Sequence, residues 1–539
     1  MRARSVLPCL PHLPFLGVLA VAVWIRAVAV LAYPAPLWFG DSPGYLKAAI
    51  GLRPDEMRPS GYPILLWMLK PFHSFVLMVS VQHAIGVLTG VLVYVLVWRA
   101  GRAAWPVADG KRWRVWLPGA AAAALTVPVL VPAHQVALEH MLMSDSLFAF
   151  LLLAAVAAVL WRRRPAWWLG ALAGASTACA ALTRTAGLPL VALVLAAMLV
   201  RRAGWRACAS AAAAFALPVA GYLVWFHAEH GRYRLAEADQ VFLYGRTAAF
   251  ADCRVIRPRP ELAVMCPKRS DPRISRSFSV MWTPDSPFRR IPGWVYGEQG
   301  NRLAGEFAWA AIRTQPVAYT EIVVRDTLRA FAWRRQPYPT PWTWLQYEFP
   351  EGEAWSDRQA RLAAQYGGDG ETRVVRPWAG VVLAYQDHVV MPGTILGVLM
   401  LGGLAGAAAH ARPGGRWRPG RPVRHWAQGA LLPWGTSLAL LVIPAATADF
   451  DYRYVMPAVP FACVALGLAL FPPLRPPRVP APREESRPGP ALLAPVSKWL
   501  RPRARTRGLA GGARPEASGT GQIAKRCRVR PRPGHVASR

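Results

Sequence analysis

Residues 141–164, MLMSDSLFAFLLLAAVAAVLWRRR, hold in one short segment the pattern that decides the fold. The segment begins with polar side chains at Ser144 and Asp145, continues through an apolar run, and ends in three consecutive arginines. A helix needs roughly 17–25 mainly apolar residues to cross a bilayer, and Lys and Arg gather in short cytoplasmic loops. The segment is therefore typical of a membrane-spanning helix with its polar end outside and its arginines inside.

The same pattern recurs along the chain and predicts an all-α polytopic membrane protein. About ten segments qualify by length and apolar content, although the fifth and sixth are short and can also form a helical hairpin. Arginine-rich short loops alternate with loops of lower positive charge, which predicts ten spans with both chain ends in the cytoplasm. The predicted spans are residues 15–34, 74–98, 115–132, 141–161, 166–183, 186–200, 207–227, 388–410, 427–447 and 454–471.

The composition supports this class and excludes several others. Hydrophobic residues make up 54% of the 539 residues and charged residues only 17%, yet the formal net charge is +34. A soluble protein this apolar would not also be this basic, whereas a membrane protein places its excess Lys and Arg in cytoplasmic loops. The values also exclude a disulfide-dense scaffold, a coiled coil and a mostly disordered chain. Because most basic residues fall where membrane topology puts them, nucleic acid is not expected as a partner.

The predicted topology divides the chain into four parts. Residues 1–227 form an N-terminal membrane module of about seven spans, with a first outer loop at 35–73. Residues 228–387 form an extracytoplasmic region of a size usual for a folded domain. Residues 388–471 form a C-terminal membrane module of about three spans. The tail 472–539 is rich in Pro, Arg, Gly and Ala, which predicts a disordered, basic cytoplasmic segment.

Cysteine usage agrees with a plasma-membrane protein that has an outer region. Among the seven cysteines, only Cys253 and Cys266 lie close together in a polar segment, and that segment is predicted to be outside. A disulfide persists in an oxidising compartment, so this pair is the candidate disulfide. No spacing such as Cys-x-x-Cys indicates a metal site.

Polar side chains gather at the outer ends of the predicted spans, beginning with the first outer loop. Asp41 lies just beyond the first span, where its carboxylate can act as a general base on an acceptor hydroxyl. It can equally be a helix N-cap, because Asp and Ser beside Pro and Gly form turns. Arg58, further along this loop, can bind a phosphate with paired donors or simply snorkel at the membrane surface.

A second group of polar side chains surrounds the outer start of the fourth span. Glu139, His140 and Asp145 lie there, and a carboxylate at or within a span is costly and commonly faces a cavity or a partner. Capping at the interface is an alternative, and metal ligation by Glu139 and His140 is a weaker one.

Two further arginines complete the set. Arg184 lies between two short apolar runs, and Arg453 follows Asp449 and Asp451 just before the last span. These aspartates can pair with Arg453 structurally, or Arg453 can neutralise a lipid phosphate at the membrane surface. Acids and arginines at the outer ends of different helices suggest one polar cavity at the lipid interface, which suits a lipid phosphate or diphosphate as leaving group.

Taken in order, these motifs resemble those of bacterial phospholipid-carrier-dependent glycosyltransferases of the GT-C fold. The family is related to the protein O-mannosyltransferases and the lipid A aminoarabinose transferases, and the resemblance in topology covers roughly residues 10–471. The composition resembles that of a high-GC actinobacterium. The motifs are Gly40-Asp41-Ser42-x-x-Tyr45, Arg58-Pro59-Ser60-Gly61-Tyr62-Pro63, EHMLMSDSL at 139–147, Leu182-Thr183-Arg184 and Arg453-Tyr454-Val455-Met456-Pro457.

The resemblance implies a helical membrane bundle with an outer soluble region and a polyprenyl-phosphate sugar donor. It implies that the first-loop acid, here Asp41, acts as base or positions the acceptor. Outer-end arginines near the lipid phosphate carry over to Arg58, Arg184 and Arg453. Contacts to acceptor or donor are assigned to Tyr45, Tyr62 and His140.

The chain departs from the family in its acids. Many relatives carry two acids close together in the first loop, whereas Asp41 stands alone, with Asp55 and Glu56 downstream. The second acid is therefore assigned to Glu139 or Asp145. No clear pair for a divalent metal results, so a metal is left open but is not indicated, and no other cofactor is predicted. Residues 228–387 match no outer domain of the family, which leaves the acceptor open among a glycan, a lipid and a protein.

The expected reaction is a single inverting displacement at the anomeric carbon, with the lipid phosphate as leaving group. Two other classes remain open. A transporter or lipid flippase needs polar residues near the middle of its spans, and here they gather at outer ends. A non-catalytic membrane scaffold would bind partners through the outer region and the basic tail, and it would not need Asp41.

Overall fold

The computed structural model describes residues 10–104, 113–268, 271–293, 295–352, 354–368, 373–411 and 423–471. These residues form helices joined by loops and short 3-10 turns. The first ten helices are α1 Leu13–Ala32, α2 Ser42–Gly51, α3 Gly61–Leu69, α4 Phe75–Ala104, α5 Trp113–Leu130, α6 Ala133–His140, α7 Asp145–Leu160, α8 Trp167–Thr183, α9 Leu190–Val200 and α10 Trp205–His230.

The remaining helices begin with a run of shorter ones. They are α11 Asp239–Ala248, α12 Cys253–Ile256, α13 Arg276–Trp282, α14 Glu298–Thr314, α15 Pro316–Arg329, α16 Pro341–Leu345, α17 Asp357–Tyr366 and α18 Trp378–His388. Three longer apolar helices follow, α19 Gly393–Ala411, α20 Val423–Thr447 and α21 Val459–Leu470.

The expected all-helical membrane fold is confirmed for the described residues, but the number of ten spans is not. Five helices are long and apolar enough to cross a membrane, or seven if each of two bent pairs is one span. The pairs α5–α6 and α18–α19 bend by 57°. Pro132 and Pro392 lie in these breaks, where a proline removes a backbone donor and disfavours helix in the residue before it. Helices α7 and α9 are apolar but shorter.

The segment predicted as an outer region divides into two structural parts. Helices α11 to α14 enclose a hydrophobic cluster of their own, centred on Tyr244, Phe288 and Phe307. Within it a disulfide joins Cys253 and Cys266. Residues of the later part, around α16 to α18, join the main core with the membrane helices instead. The predicted boundary at residue 387 falls inside α18, and the predicted tail 472–539 lies outside the described residues.

Backbone contacts bring together the loops that hold the predicted site residues. Leu37, after α1, forms a parallel bridge with Met141, so the loops that hold Asp41 and Asp145 run side by side. Gly61, at the start of α3, lies against the end of α8, where an added Cβ would be 2.7 Å from the Leu182 carbonyl oxygen. Only a residue without a side chain permits that approach. The loop of Arg58 is thereby held next to that of Arg184.

Candidate active site

Asp41 lies at the centre of a cluster of charged side chains. It occupies the position before α2, as the N-cap interpretation expects, but its side chain makes no capping hydrogen bond. Instead Arg58 donates through Nη2 to Oδ1, and Arg453 donates through Nη1 to Oδ2 at 2.6 Å. Burial raises the pKa of Asp41, but the charges of Arg453 and Arg58 outweigh burial and hold that pKa well below its ordinary value.

The first outer loop fixes Arg58. Asp55 accepts backbone hydrogen bonds from Met57 and Arg58 at 2.8 and 3.1 Å, which closes a tight turn in front of α3. The guanidinium carbon lies 5.5 Å from the centre of the Tyr45 ring, a cation–π arrangement. The Arg58 charge is therefore directed at Asp41 by both its backbone and its ring neighbour.

Arg453 reaches the same carboxylate from the other end of the sequence. It lies in the 3-10 turn Tyr452–Tyr454, which Asp451 caps by accepting from the backbone N–H of Arg453 at 3.3 Å. The Asp451 Oδ2 atom also lies 3.2 Å from Arg453 Nε, although the two are not aligned for a hydrogen bond. Arg453 thus stands between two carboxylates, Asp41 and Asp451.

A second ion pair, between Arg184 and Asp145, lies beside this cluster. Arg184 Nη1 is 2.5 Å from Asp145 Oδ1, and the carboxylate is fully buried. The Tyr454 ring contacts both this pair and the first cluster, since the guanidinium carbons of Arg184 and Arg453 both lie 5.0 Å from its centre. Asp145 Oδ2 has no hydrogen-bond partner among the described residues and lines a narrow cavity with Ser146 and Met456.

Glu139 and His140 do not join this cluster. Glu139 forms a two-pronged ion pair with Arg26 of α1, at 2.7 and 2.8 Å. Its Oε2 also contacts His83 of α4 at 3.0 Å, and the other ring nitrogen of His83 lies 3.0 Å from His140. Gly86 makes room, because a Cβ there would lie 2.0 Å from Glu139 Oε1. The second acid expected near Asp41 is thus Asp145 or Asp451 by position, and not Glu139.

The two tyrosines assigned to substrate contacts are buried. Tyr45 shares a hydrogen bond with Ser144 at 3.0 Å, and its ring meets that of Tyr62 edge to face at 5.0 Å. Tyr62 donates to Gln82 at 2.5 Å and is fully buried. Both side chains therefore pack inside the protein and support the first loop, and neither lines an open surface.

The two aspartates before the last span have different partners. Asp449 accepts hydrogen bonds from Ser275 at 2.6 Å and Tyr338 at 2.7 Å, and Arg246 lies 4.0 Å away. Asp451 accepts instead from Tyr347. Of the two, only Asp451 therefore pairs with Arg453, and Asp449 connects this loop to the segments before α13 and after α15.

The motifs missed two residues that the structure places in these clusters, Arg26 and Tyr347. Arg26 has a signal in the sequence, because a single arginine inside an otherwise apolar span indicates a buried partner. Tyr347, from a segment with no motif, closes the site by stacking on Phe39 at 5.4 Å and donating to Asp451. Within the described residues no three His, Cys, Asp or Glu side chains are grouped as metal ligands.

Comparison with known proteins gives similarity only at the level of solved structures. No family model and no curated protein matches the chain. The S. cerevisiae protein O-mannosyltransferase Pmt1-Pmt2 complex bound to the sugar donor is similar at TM-score 0.32 and 17% identity. That similarity covers 45% of this chain and 37% of the yeast chain.

ArnT from Cupriavidus metallidurans is similar over a larger share. Its apo structure has TM-score 0.32 and 13% identity, covering 85% of this chain and 77% of that one. Its structure bound to undecaprenyl phosphate has TM-score 0.30 and 15% identity, covering 84% and 75%. Membrane transferases of the class that the motifs resemble are thus among the similar solved structures. TM-scores this low carry no conclusion about activity.

Proposed function

We propose that this chain is a membrane glycosyltransferase that transfers a sugar from a polyprenyl-phosphate carrier to an acceptor outside the cytoplasm. One observation carries the proposal. Arg58, Arg184 and Arg453, from three segments far apart in sequence, converge around Asp41 at the ends of apolar helices. Guanidinium groups bind phosphate oxygens with paired donors, so a cluster of three suits a lipid phosphate whose chain stays in the bilayer.

In the proposed reaction the arginines hold the phosphate and Asp41 takes the acceptor proton. The acceptor oxygen attacks the anomeric carbon, the bond from that carbon to the phosphate oxygen breaks, and the phosphate leaves with the electron pair. One displacement inverts the anomeric configuration. Phosphate needs little help from a general acid, so a second carboxylic acid at the leaving group is not required.

Binding of the donor would also activate Asp41. With both oxygens occupied by guanidiniums, its pKa is held low and it is a weak base. A phosphate that recruits Arg58 and Arg453 withdraws those charges and adds a negative one nearby. The pKa of Asp41 then rises toward the range in which a carboxylate accepts a proton effectively. The donor is therefore proposed to bind before the acceptor.

The test is sugar transfer in membrane vesicles from a radiolabelled polyprenyl-phosphate hexose, at matched expression of each variant. Wild type should transfer label to an endogenous acceptor, and Asp41→Asn should lower the rate at least ~100-fold, the lower range for a lost general base. Glu56→Gln is the matched control, because Glu56 lies in the same loop and is partly exposed, and its carboxylate forms an ion pair with His230 at 3.8 Å outside the proposed site.

Two results would contradict the proposal. Equal transfer by wild type and Asp41→Asn would remove Asp41 as the base and direct attention to Asp145 and Asp451. Carrier movement across the vesicle membrane without any sugar transfer would instead support a transporter or flippase.

A further inference from the structure

The loop at 448–453 holds two aspartates for comparison, Asp451, which is buried, and Asp449, whose side chain is 14% exposed. Each accepts a hydrogen bond from a tyrosine of the outer region, Asp449 from Tyr338 and Asp451 from Tyr347. Only Asp451 contacts an arginine of the proposed phosphate site. Two carboxylates in one loop, each bonded to a tyrosine hydroxyl, thus differ in whether they contact Arg453.

The charges of the site balance without a ligand. Arg58, Arg184 and Arg453 contribute three positive charges, and the carboxylates of Asp41, Asp145 and Asp451 contribute three negative ones. A phosphodiester carries one negative charge. Its entry would leave an excess negative charge in a largely buried cluster, which is costly because buried charge must be paired.

Of the three carboxylates, Asp451 has the weakest contacts with the arginines, so its ionised form is the least stabilised. Asp41 accepts from two guanidiniums and Asp145 accepts a hydrogen bond from Arg184. Asp451 shares Arg453 with Asp41, and the only atom of that guanidinium group it contacts is Nε, which is not aligned for a hydrogen bond. Burial raises the pKa of Asp451 to about 7 despite Arg453, and the nearby charges of Asp145 and Asp41 add to the rise.

The groups that face Asp451 come from several elements. Arg453 lies on its own loop, Tyr347 belongs to the segment after α16, Asp41 comes from the first outer loop and Asp145 from the start of α7. Behind them, His134 lies 4.9 Å from the Tyr347 ring and Arg335 lies 5.4 Å from the Tyr452 ring.

We propose that Asp451 sets the charge of this site by carrying a proton while the singly charged phosphodiester of a polyprenyl-phosphate sugar lies among Arg58, Arg184 and Arg453. The protonated site has one net positive charge, which the phosphodiester neutralises. During transfer the acceptor proton moves to Asp41 while the departing phosphate gains a second negative charge, so the balance is kept. The choice of ligand rests on the proposed function, but the proton uptake does not require catalysis.

The experiment is calorimetric titration of the full-length protein in detergent with a short-chain polyprenyl-phosphate hexose, whose phosphodiester has no titratable group near neutral pH. Titrations in two buffers of different ionisation enthalpy count the protons taken up. At pH 8 wild type should take up about one proton per ligand, and its affinity should fall up to ~10-fold per pH unit above pH 7. Asp451→Asn should take up no proton, bind at least as tightly at pH 8, and lose this slope.

Matched variants separate this role from a structural one. Asp449→Asn, in the same loop, should keep both the proton uptake and the slope. Tyr347→Phe removes a donor that favours the charged form of Asp451, so its affinity should begin to fall at a higher pH, whereas Tyr338→Phe should leave the profile unchanged.

Each outcome bears on the proposal. Absence of ligand binding to wild type, a slope retained in Asp451→Asn, or a slope lost in Asp449→Asn would overturn it. Binding with proton uptake in a protein that transfers no sugar would support it and would overturn the proposed enzymatic function instead.

Discussion

Two clusters of arginine and carboxylate lie at different depths in this molecule. In the outer cluster the side chains of Asp41, Arg58 and Arg453 are between 11% and 16% exposed. In the inner cluster Arg26 and His83 are 4% exposed and Glu139 is not exposed. The inner ion pair also has ordered geometry, with two parallel hydrogen bonds from one guanidinium to one carboxylate.

The difference shows that a charged residue near a span end is not by itself a site residue. Glu139 is enclosed by Arg26, His83 and Gln135, which satisfy both its oxygens, so it fastens α1 and α4 to α6. Asp41 has the same kind of partners but retains a path to solvent. We expect the inner cluster to contribute to stability and the outer cluster to contribute to the reaction.

The largest effect is expected from Glu139→Gln. It leaves the Arg26 charge buried without its counterion, and breaking a buried pair on one side costs about 3–5 kcal/mol. The free energy of unfolding in mixed detergent, followed by tryptophan fluorescence, should fall by this amount. The double variant Arg26→Met with Glu139→Leu should lose less, because no buried charge is left unpaired. A Glu139→Gln protein with normal stability and no transfer would place the inner cluster in the reaction and break the comparison.

The next effect separates the two clusters by activity. Arg453→Gln removes a donor that is proposed to bind the leaving phosphate, and loss of one such donor lowers the rate about 100–1000-fold. Arg26→Gln is the matched variant, since it removes the same charge from the inner cluster. Its folded fraction should transfer sugar at nearly the wild-type rate. Rates per folded molecule, with the folded fraction measured by size-exclusion chromatography, decide between them, and equal losses in both variants would end the distinction.

Much of the membrane fold was predictable, because apolar length and basic loops report directly on which segments enter a bilayer. Each of the ten predicted spans coincides with a helix, including the short α7 and α9. What the pattern could not report is bending, since α6 follows α5 almost directly in sequence yet turns from it by 57° at Pro132. The number of spans depends on whether such a bent pair counts as one span, and the hydrophobic pattern does not report the angle between the two helices.

The candidate site was predictable in part for a similar reason. Motifs marked Asp41, Arg58 and Arg453, which are 412 residues apart at their extremes, and the structure brings them together. The sequence shows how far Glu139 lies from the end of a span, and on that basis it was predicted to line the same cavity. The sequence does not show which neighbouring helices its side chain faces. Its partner Arg26 lies 113 residues away, and only the packing of α1 against α4 and α5 reveals the pair.

The disulfide offers a smaller test, outside both clusters. Cys253 and Cys266 are 13 residues apart, and a closed loop of this size contributes about 3 kcal/mol to the cluster of α11 to α14. Cys253→Ser with Cys266→Ser should speed tryptic cleavage within residues 238–311 and leave cleavage elsewhere unchanged. Cys208→Ser, which alters a free cysteine, is the control. Unchanged cleavage in the double variant would show that the hydrophobic cluster alone holds this region.

The smallest effect is expected from Tyr45→Phe, which tests whether the outer cluster includes the buried residues packed against it. The change removes one hydrogen bond to Ser144, worth about 1 kcal/mol, but keeps the ring beneath Arg58 and against Tyr62. Transfer should therefore fall by no more than ~10-fold, with an unchanged KM for the donor. Tyr45→Ala should cost more, because the ring that orients Arg58 is lost as well. A Tyr45→Phe protein that folds normally yet loses transfer ~100-fold would mean that the hydroxyl turns away from Ser144 to contact the substrate, and the outer cluster would then extend into the buried layer beneath it.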